Sequence, residues 1–343
     1  MILIIDVHNL VHRASHSHKT LWSHDKSIFT GVYFGFFTML QKYVAEFRPQ
    51  QVWLVSDPNT PQEKSNWRSN YLPDYKRRAK TRDAEDQKRY SAIQKQMPML
   101  KQACGWTNSF WFEQAFLEAD EIIGSLWNTY PQGDFTLIST DKDMFTLLRP
   151  GFNIYYPGQK RTLLLTHENF AEHSAEFIGG QNKKAEEDKI RFDTVEEWAE
   201  YRWLDGDKSD MVPSLPKCGP AGARKIISAG GYEAFCAQIE QKKLEPKKKD
   251  QPSKSELNWT SEEARRTYVL NRYIMKINPP PAEQLQFDMT NPHCQVGISN
   301  YDYLKSWMLQ LNFADKQDSL VARMRTSALC LPKDSPYEPL RSY

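Results

Sequence analysis

Residues Phe116–Leu148, FLEADEIIGSLWNTYPQGDFTLISTDKDMFTLL, carry five carboxylates in two groups. Glu118, Asp120 and Glu121 stand at the start of a helical pattern (Ile122, Ile123, Leu126, Trp127). The partial positive charge of a helix N-terminus eases acids there. Asp141 and Asp143 follow an apolar, strand-like run, Phe135–Ser139. If the two groups meet in space, so many acids cannot stay ionised together without cations. Oxygen-only donors suit hard divalent ions, magnesium or manganese rather than zinc.

Two further runs share the strand pattern, Ile2–Asp6 (ILIID) and Gln51–Asp57 (QVWLVSD). Runs that are apolar on both faces suit central parallel strands covered by helices. Helical patterns, notably Gly31–Phe47, lie between them. The expected fold class is therefore α/β, with a ligand site beyond the carboxyl ends of the strands. Asp6, Asp57 and Asp141 each stand at such an end. Three strand-terminal acids in one sheet point to a metal site.

The chain has 343 residues, enough for one large domain or two smaller ones, and 40% apolar content supports a sizeable core. Its 45 basic and 43 acidic residues nearly cancel, so local charge is more informative than the total. An acidic metal site beside basic patches would give this balance in a nucleic-acid binder. The five cysteines include no CxxC pair, which argues against a zinc site or a disulfide framework. Met1 runs straight into ILII without a basic leader, and no apolar run nears the ~20 residues of a membrane span. A soluble protein of a reducing, cytoplasmic compartment is expected.

Residues 58–103 form a long polar connection in which basic residues alternate with Trp67, Tyr71, Tyr75 and Tyr90. Basic and aromatic residues together suit single-stranded nucleic acid; a solvated helical hairpin is the plainer reading. Further on, NIYYPG and RTLLLT read as two short strands, a hairpin or a sheet edge, and GGQNKKAEEDK as a flexible loop. Thr194 is a plausible helix cap, with Glu197 three residues later. Leu204–Ile227 (LDGDKSDMVPSLPKCGPAGARKII) places Asp205, Asp207 and Asp210 before a Gly/Pro-rich turn and a helix near Pro220. Such a turn can grip phosphate with backbone N–H groups, with Lys217, Arg224 and Lys225 adding charge. An ordinary helix-turn-helix corner is the alternative. Gln241–Ser255 is a basic low-complexity loop, Glu262–Ile277 and Tyr301–Leu311 are helical, and the tail from Pro332 is extended.

In this order the motifs resemble the 5′-nuclease family: flap endonucleases, the 5′-exonuclease domain of bacterial DNA polymerase one, and phage 5′–3′ exonucleases. The resemblance covers about residues 1–280. DVHNLVHRA matches the opening motif at Asp6, Leu10 and Arg13, with Val7 for the usual glycine. SDPNTP through NWRSNYLPDYKRR matches at Asp57, Arg68, Tyr75 and Lys76. Ala79 stands where the family often has arginine, so Arg77, Arg78 or Lys80 would substitute. EADEIIG carries Glu121 where aspartate is usual, and STDKD matches at Asp141 and Asp143. GDKSDMVPSLPKCGPAGA resembles the helix–three-turn–helix, keeping Asp207, Asp210 and the final glycine at Gly219, with Met211 and Val212 for Asn and Ile and with Ser214 and Lys217 replacing glycines.

The resemblance implies a PIN-like (resolvase-like) sheet domain over 1–203 with a helical arch at about 66–103, a helix–three-turn–helix region over 204–280, and a C-terminal extension over 281–343. It implies two magnesium ions, replaceable by manganese, about 3.5–4 Å apart. Asp6, Asp57, Glu118, Asp120, Glu121 and Asp141 would serve the first, and Asp143, Asp207 and Asp210 the second. A potassium ion would sit on the helix–three-turn–helix. Lys76 and Arg13 would neutralise the scissile phosphate, Tyr75 would stack on the terminal base, and the five histidines from His8 to His24 are read as local structure or surface. Arg68, Arg77, Arg78, Lys80, Lys217, Gly219, Gly222, Arg224 and Lys225 would hold DNA, either a duplex with a 5′ flap or 5′ end or an RNA–DNA hybrid, without reading sequence. A monomer, working in phage or bacterial replication or repair alongside a single-strand-binding or replication protein, is the default. The alternatives are a catalytically silent binder of branched DNA on the same scaffold, and a haloacid-dehalogenase-type phosphatase. The latter needs an acid where His8 stands.

Overall fold

The computed structural model describes residues 1–59, 67–77, 84–158, 162–177, 191–245, 247–277, 295–311 and 317–330. The loop expected at 179–189, the tail from Pro332, and residues 78–83 of the expected arch lie outside these. The chain opens with β1 (Ile2–Asp6), α1 (Val7–Ser17), α2 (Gly31–Phe47), β2 (Gln51–Val55) and the short α3 (Trp67–Tyr71). Next come α4 (Ala84–Cys104), β3 (Phe110–Phe112), α5 (Ala119–Thr129), β4 (Phe135–Ile138) and a 3-10 turn, Asp143–Leu147. β5 (Phe152–Pro157), β6 (Thr162–Leu165), α6 (Phe170–His173), α7 (Val195–Asp205), α8 (Gly219–Ser228) and α9 (Tyr232–Lys242) follow. The last described elements are α10 (Lys254–Trp259), α11 (Glu262–Ile274), β7 (Gln295–Val296), α12 (Tyr301–Leu311) and α13 (Gln317–Arg325).

The described strands form one sheet in the order β6-β5-β4-β1-β2-β3-β7. β1 lies at its centre, parallel to β2 (Ile2 opposite Gln51) and to β4 (Ile2 opposite Phe135). β3 and β5 extend the parallel set, while β6 and β7 close the edges antiparallel. The chain builds outward from β1 through β2 to β3, then crosses back so that β4 flanks β1 on the other side. This reversal opens a crevice at the carboxyl ends of β1 and β4, where an open α/β sheet binds ligands.

Alternation along the strands buries both faces. Ile4, Trp53, Val55 and Leu137 pack with α5, α7, α8, α9 and α11. Leu3, Ile5, Val52 and Leu54 pack with α1, α2, α4, α12 and α13. Each fully buried large apolar side chain contributes roughly 1.5–3 kcal/mol of transfer free energy, so the sheet is the rigid platform of the molecule. The three strands and the β5–β6 hairpin expected from the sequence are present. β3 and β7 were not anticipated. The expected arch segment is partly core: Ile93, Met97, Leu100 and Ala103 on α4 are buried under the sheet. The C-terminal helices likewise contribute Leu304, Met308, Leu320 and Met324 to that layer. Among the described residues no helix is long and apolar enough to cross a membrane.

Candidate active site

The carboxyl end of the sheet carries acids for local reasons as well as chemical ones. Asp6 ends β1 and caps α1, accepting the Asn9 N–H at 3.0 Å. Asp57 follows β2 and accepts the Ala119 N–H at 2.7 Å, which ties β2 to the start of α5. Glu118 is the N-cap of α5 and Asp120 lies in its first turn. Asp141 follows β4 and accepts the Asp143 N–H at 2.9 Å. Asp207 and Asp210 sit in the tight turn after α7, where Asp207 and Val212 exchange backbone hydrogen bonds. α7 itself starts as expected, with the Thr194 side chain accepting the Glu197 N–H.

Five chain segments thus deliver Asp6, Asp57, Glu118, Asp120, Asp141, Asp143, Asp207 and Asp210 to the wall of one cleft of about 280 Å³. Burial, and then the charge of Asp57, raise Asp6 to about 6. Burial also raises Asp120 and Asp210, with neighbouring acids adding to it. Asp207 is lowered: burial opposes its ionisation, but Ser209 and Arg202 outweigh it by hydrogen bonding. As placed, no three His, Cys, Asp or Glu side chains among the described residues converge closely enough to hold a metal ion. The acids are shared among cationic side chains instead. Arg68 Nη1 lies 2.8 Å from Glu118 and Nη2 3.5 Å from Asp120. Lys76 Nζ lies 2.8 Å from Glu118. Arg202 bridges Asp143 (2.6 Å) and Asp207 (2.9 Å). The donor set still suits a hard divalent cation: it is all oxygen, comes from rigid elements, and includes acids whose ionisation the site itself opposes.

Several expected site residues stand elsewhere. Glu121 is fully buried and does not line the cleft. It is the third residue of α5, accepting the Glu118 backbone N–H at 2.7 Å and the Trp67 indole N–H at 2.5 Å. Arg68 Nη1 lies 3.2 Å from it as well, and as placed it serves the start of α5 rather than the cleft wall. Arg13 points to the Tyr43 hydroxyl at 3.0 Å and is absent from the cleft wall. Arg68 lines the cleft but is buried, with Nε donating to the Ile274 carbonyl at 2.8 Å; it holds acids together rather than gripping DNA. Lys76 sits at the cleft with φ +54, its N–H donating to the Asp210 carbonyl at 3.0 Å. A non-glycine residue in that region costs roughly 1–2 kcal/mol, and such strain gathers where a side chain must be aimed. Tyr75 directs its hydroxyl to Asp210 at 3.5 Å, with Lys76 Nζ 5.2 Å from its ring centroid.

Of the expected DNA contacts, Arg77, Lys217, Gly219, Arg224 and Lys225 are exposed; Arg78 and Lys80 lie outside the described residues. Lys217, replacing a glycine, holds φ +56, and its carbonyl accepts the Trp259 indole N–H at 3.0 Å. Gly219 holds φ +58, which glycine adopts without the strain that Lys217 bears. Gly222 is buried instead: a Cβ there would stand 2.7 Å from the Trp259 ring, so it serves packing, not phosphate. Lys225 is paired with Glu256 at 2.9 Å.

The sequence reading missed Arg202, because its two partners lie in separate segments. It also set His8 and His12 aside, and both line the cleft. His8 Nδ1 accepts the Asp57 N–H at 3.4 Å; its place two residues after Asp6 was the available clue.

Residues 1–175 match the 5′-3′ exonuclease N-terminal resolvase-like domain. The chain is 27% identical over 247 residues to a DNA polymerase I of Bacillus caldotenax, covering 71% of this chain and 25% of that protein. It is 27% identical over 140 residues to a 5′-3′ exonuclease of Mycoplasma genitalium, covering 40% of this chain and 43% of that one. The chain thus spans about a quarter of the length of the polymerase it matches. Among solved structures, a bacteriophage T5 flap endonuclease in a complex with DNA and metal ions aligns with TM-score 0.59 at 17% identity, over 94% of this chain and 96% of that one. A T5 5′-exonuclease with bound zinc aligns with TM-score 0.56 at 17% identity, over 95% and 99%. At that identity the likeness carries the fold, the resolvase-like (PIN-like) α/β arrangement.

Proposed function

The chain belongs to the 5′–3′ exonuclease family, and from that premise we propose that it is a divalent-metal-dependent 5′-nuclease. It hydrolyses phosphodiester bonds at or near the 5′ ends of DNA, leaving 5′-phosphates, by exonuclease or flap endonuclease action. One observation carries this reading: eight carboxylates from five segments line a single cleft at the carboxyl end of the sheet. Such a concentration of acid costs stability, which cation chemistry would justify.

Asp6, Asp57, Glu118, Asp120 and Asp141 would hold one ion, and Asp143, Asp207 and Asp210 a second. When bound, such a pair supplies charge stabilisation to the attacking and leaving oxygens of an in-line displacement. Lys76, exposed at the cleft and now on Glu118, is placed to turn to the scissile phosphate. Its pKa is raised: the protein around its inner part opposes the charge by desolvation, although the side chain keeps nearly half its surface open, and Glu118 outweighs that, so the ammonium persists at neutral pH. Arg68 keeps Glu118 and Asp120 together from behind, and Arg202 does the same for Asp143 and Asp207. The exposed turn around Lys217 and Gly219, with Arg224, meets duplex phosphates without reading bases. Magnesium, with manganese able to replace it, and potassium on that turn complete the proposal. Phage or bacterial DNA replication or repair in the cytoplasm, with RNA–DNA primers among the substrates, is the proposed setting. Glu121 and Val7 were the departures that favoured a silent binder. Both have structural roles, as the third residue of α5 and as the buried first residue of α1.

The test is cleavage of a duplex bearing a labelled 5′ flap, with magnesium and with a chelator. Cleavage at or near the junction in magnesium alone is expected, and the product lengths separate flap cutting from stepwise removal. A protein that binds the flap yet never cuts, in magnesium or manganese, would be the silent binder instead.

A further inference from the structure

Beside the acidic cleft, α3 and α11 bring three aromatic rings together. Trp67 and Tyr71 lie four residues apart on α3 and so share a helix face. Tyr273 meets both from α11, edge to face, with ring centroids 5.6 Å from Trp67 and 4.8 Å from Tyr71. The hydroxyl oxygens of Tyr71 and Tyr273 are 3.3 Å apart. The trio is tied at two points to the elements that wall the cleft. Trp67 donates to Glu121, and Arg68 beside it lines the cleft. Arg68 donates to the carbonyl of Ile274, the residue after Tyr273, and Ile274 and Met275 line the cleft as well.

A cluster that only pinned α3 to α11 would be covered. Tyr71 keeps 46% of its surface exposed, and Trp67 and Tyr273 are half-buried. Arg77 and Lys276, both exposed, lie close by in the chain, next to cleft residues Lys76 and Met275. Tyr75, the ring first expected to stack on a base, is half-buried, with Arg68 and Lys76 5.8 Å and 5.2 Å from its centroid. Arg68 also covers one face of Trp67, 4.9 Å from its centroid, which leaves Tyr71 the most open ring of the trio.

We propose that Trp67, Tyr71 and Tyr273 form a subsite for an unpaired nucleobase of the substrate strand. The inference rests on the nuclease reading and locates its single-stranded contact. Every nucleobase has a π-face, so stacking there tolerates any sequence. The flanking phosphates meet Arg77 and Lys276, which makes the contact salt-dependent.

The test measures DNA binding by fluorescence anisotropy, with calcium replacing magnesium. Three hairpin duplexes are compared: one with a 5′ single-stranded extension, one with abasic sites throughout that extension, and one blunt. Wild type is set against Tyr71→Ala with Tyr273→Ala, and against the paired Phe substitutions, which keep both rings. Loss of the rings should weaken binding of the base-bearing extension about tenfold, within the range for stacking of one base. The Phe pair and the blunt duplex should stay within about twofold of wild type. Wild type should itself bind the abasic extension about tenfold more weakly, with no further loss in the Ala pair. If the Ala pair does not fold, the wild-type comparison of base-bearing and abasic strands decides. Equal binding of those two strands by wild type overturns the subsite and leaves the nuclease reading intact. So does an equal loss on both in the Ala pair. Binding of none of the three duplexes by wild type overturns both.

Discussion

Two hollows open at opposite ends of the same sheet. The one at the carboxyl ends is about 280 Å³ and is lined by eight carboxylates. The one at the amino ends is larger, about 730 Å³, and is lined by Met1, Gln51, Trp53, Tyr130 and Phe135 among others. Its single lining acid, Asp134, lies 3.4 Å from the Met1 amine. Volume therefore does not single out the end proposed to be reactive; like charges gathered in one cleft do. At the amino end the side chains satisfy one another, as where Trp53 donates to Gln51 at 2.9 Å. At the carboxyl end the fold raises Asp6 to about 6 by burial and by the neighbouring Asp57. One end is built to pack, the other to hold charge.

The largest expected effect comes from removing the cation that holds the acidic end together. Arg68→Met leaves Glu118, Asp120 and Glu121 without their buried partner and should cost about 3–5 kcal/mol. The urea midpoint at pH 7 measures it, and added magnesium should recover part of the loss. A loss that magnesium leaves unchanged would break the contrast between the ends. Next, Trp53→Ala at the packing end should cost about 3 kcal/mol through cavity formation. Well below its melting temperature, the variant should cleave at the wild-type rate.

Two buried acids sharpen the comparison through opposite pH signs. The folded pKa of Asp6 is raised, so its favourable contribution is present below about pH 4 and is lost as pH rises through about 6. In chelator at pH 8, Asp6→Asn should therefore be more stable than wild type by about 2 kcal/mol, an advantage gone by about pH 4. Glu256 is lowered to about 2: burial opposes ionisation, but the Lys225 ion pair and the Ser253 N–H outweigh it. Its contribution is present above about pH 4.5 and disappears as pH falls through about 2. Glu256→Gln should cost about 2 kcal/mol at pH 7 and little at pH 2. Thermal unfolding across pH, in chelator, reads both. The smallest effect is expected from Tyr130→Phe in the large hollow, within about 0.5 kcal/mol of wild type and with unchanged cleavage.

Much of this contrast was legible in the chain. ILIID, QVWLVSD and FTLISTD announce strands ending in acids because apolar runs and polar terminations are local patterns. The Thr194 cap and the Tyr301–Leu311 helix were legible for the same reason. What escaped depends on contacts between distant segments. β3 and β7, of three and two residues, are too short to show a period. Glu121 is an acid in a metal-ligand motif until Trp67 and the Glu118 N–H are seen to claim it. Gly222 suits a phosphate loop until Trp259 fills the space beside it. Arg202 belongs to the site only because α7 lays it between Asp143 and Asp207.

The most direct measurement compares binding with cleavage for Asp141→Asn on a duplex carrying a 5′ flap. Affinity in calcium should stay within about threefold of wild type, while cleavage in magnesium falls at least about a thousandfold, the scale of losing a ligand to a catalytic ion pair. Cleavage by Asp141→Asn at the wild-type rate would contradict the assignment of the acidic cleft as the reactive end of the sheet.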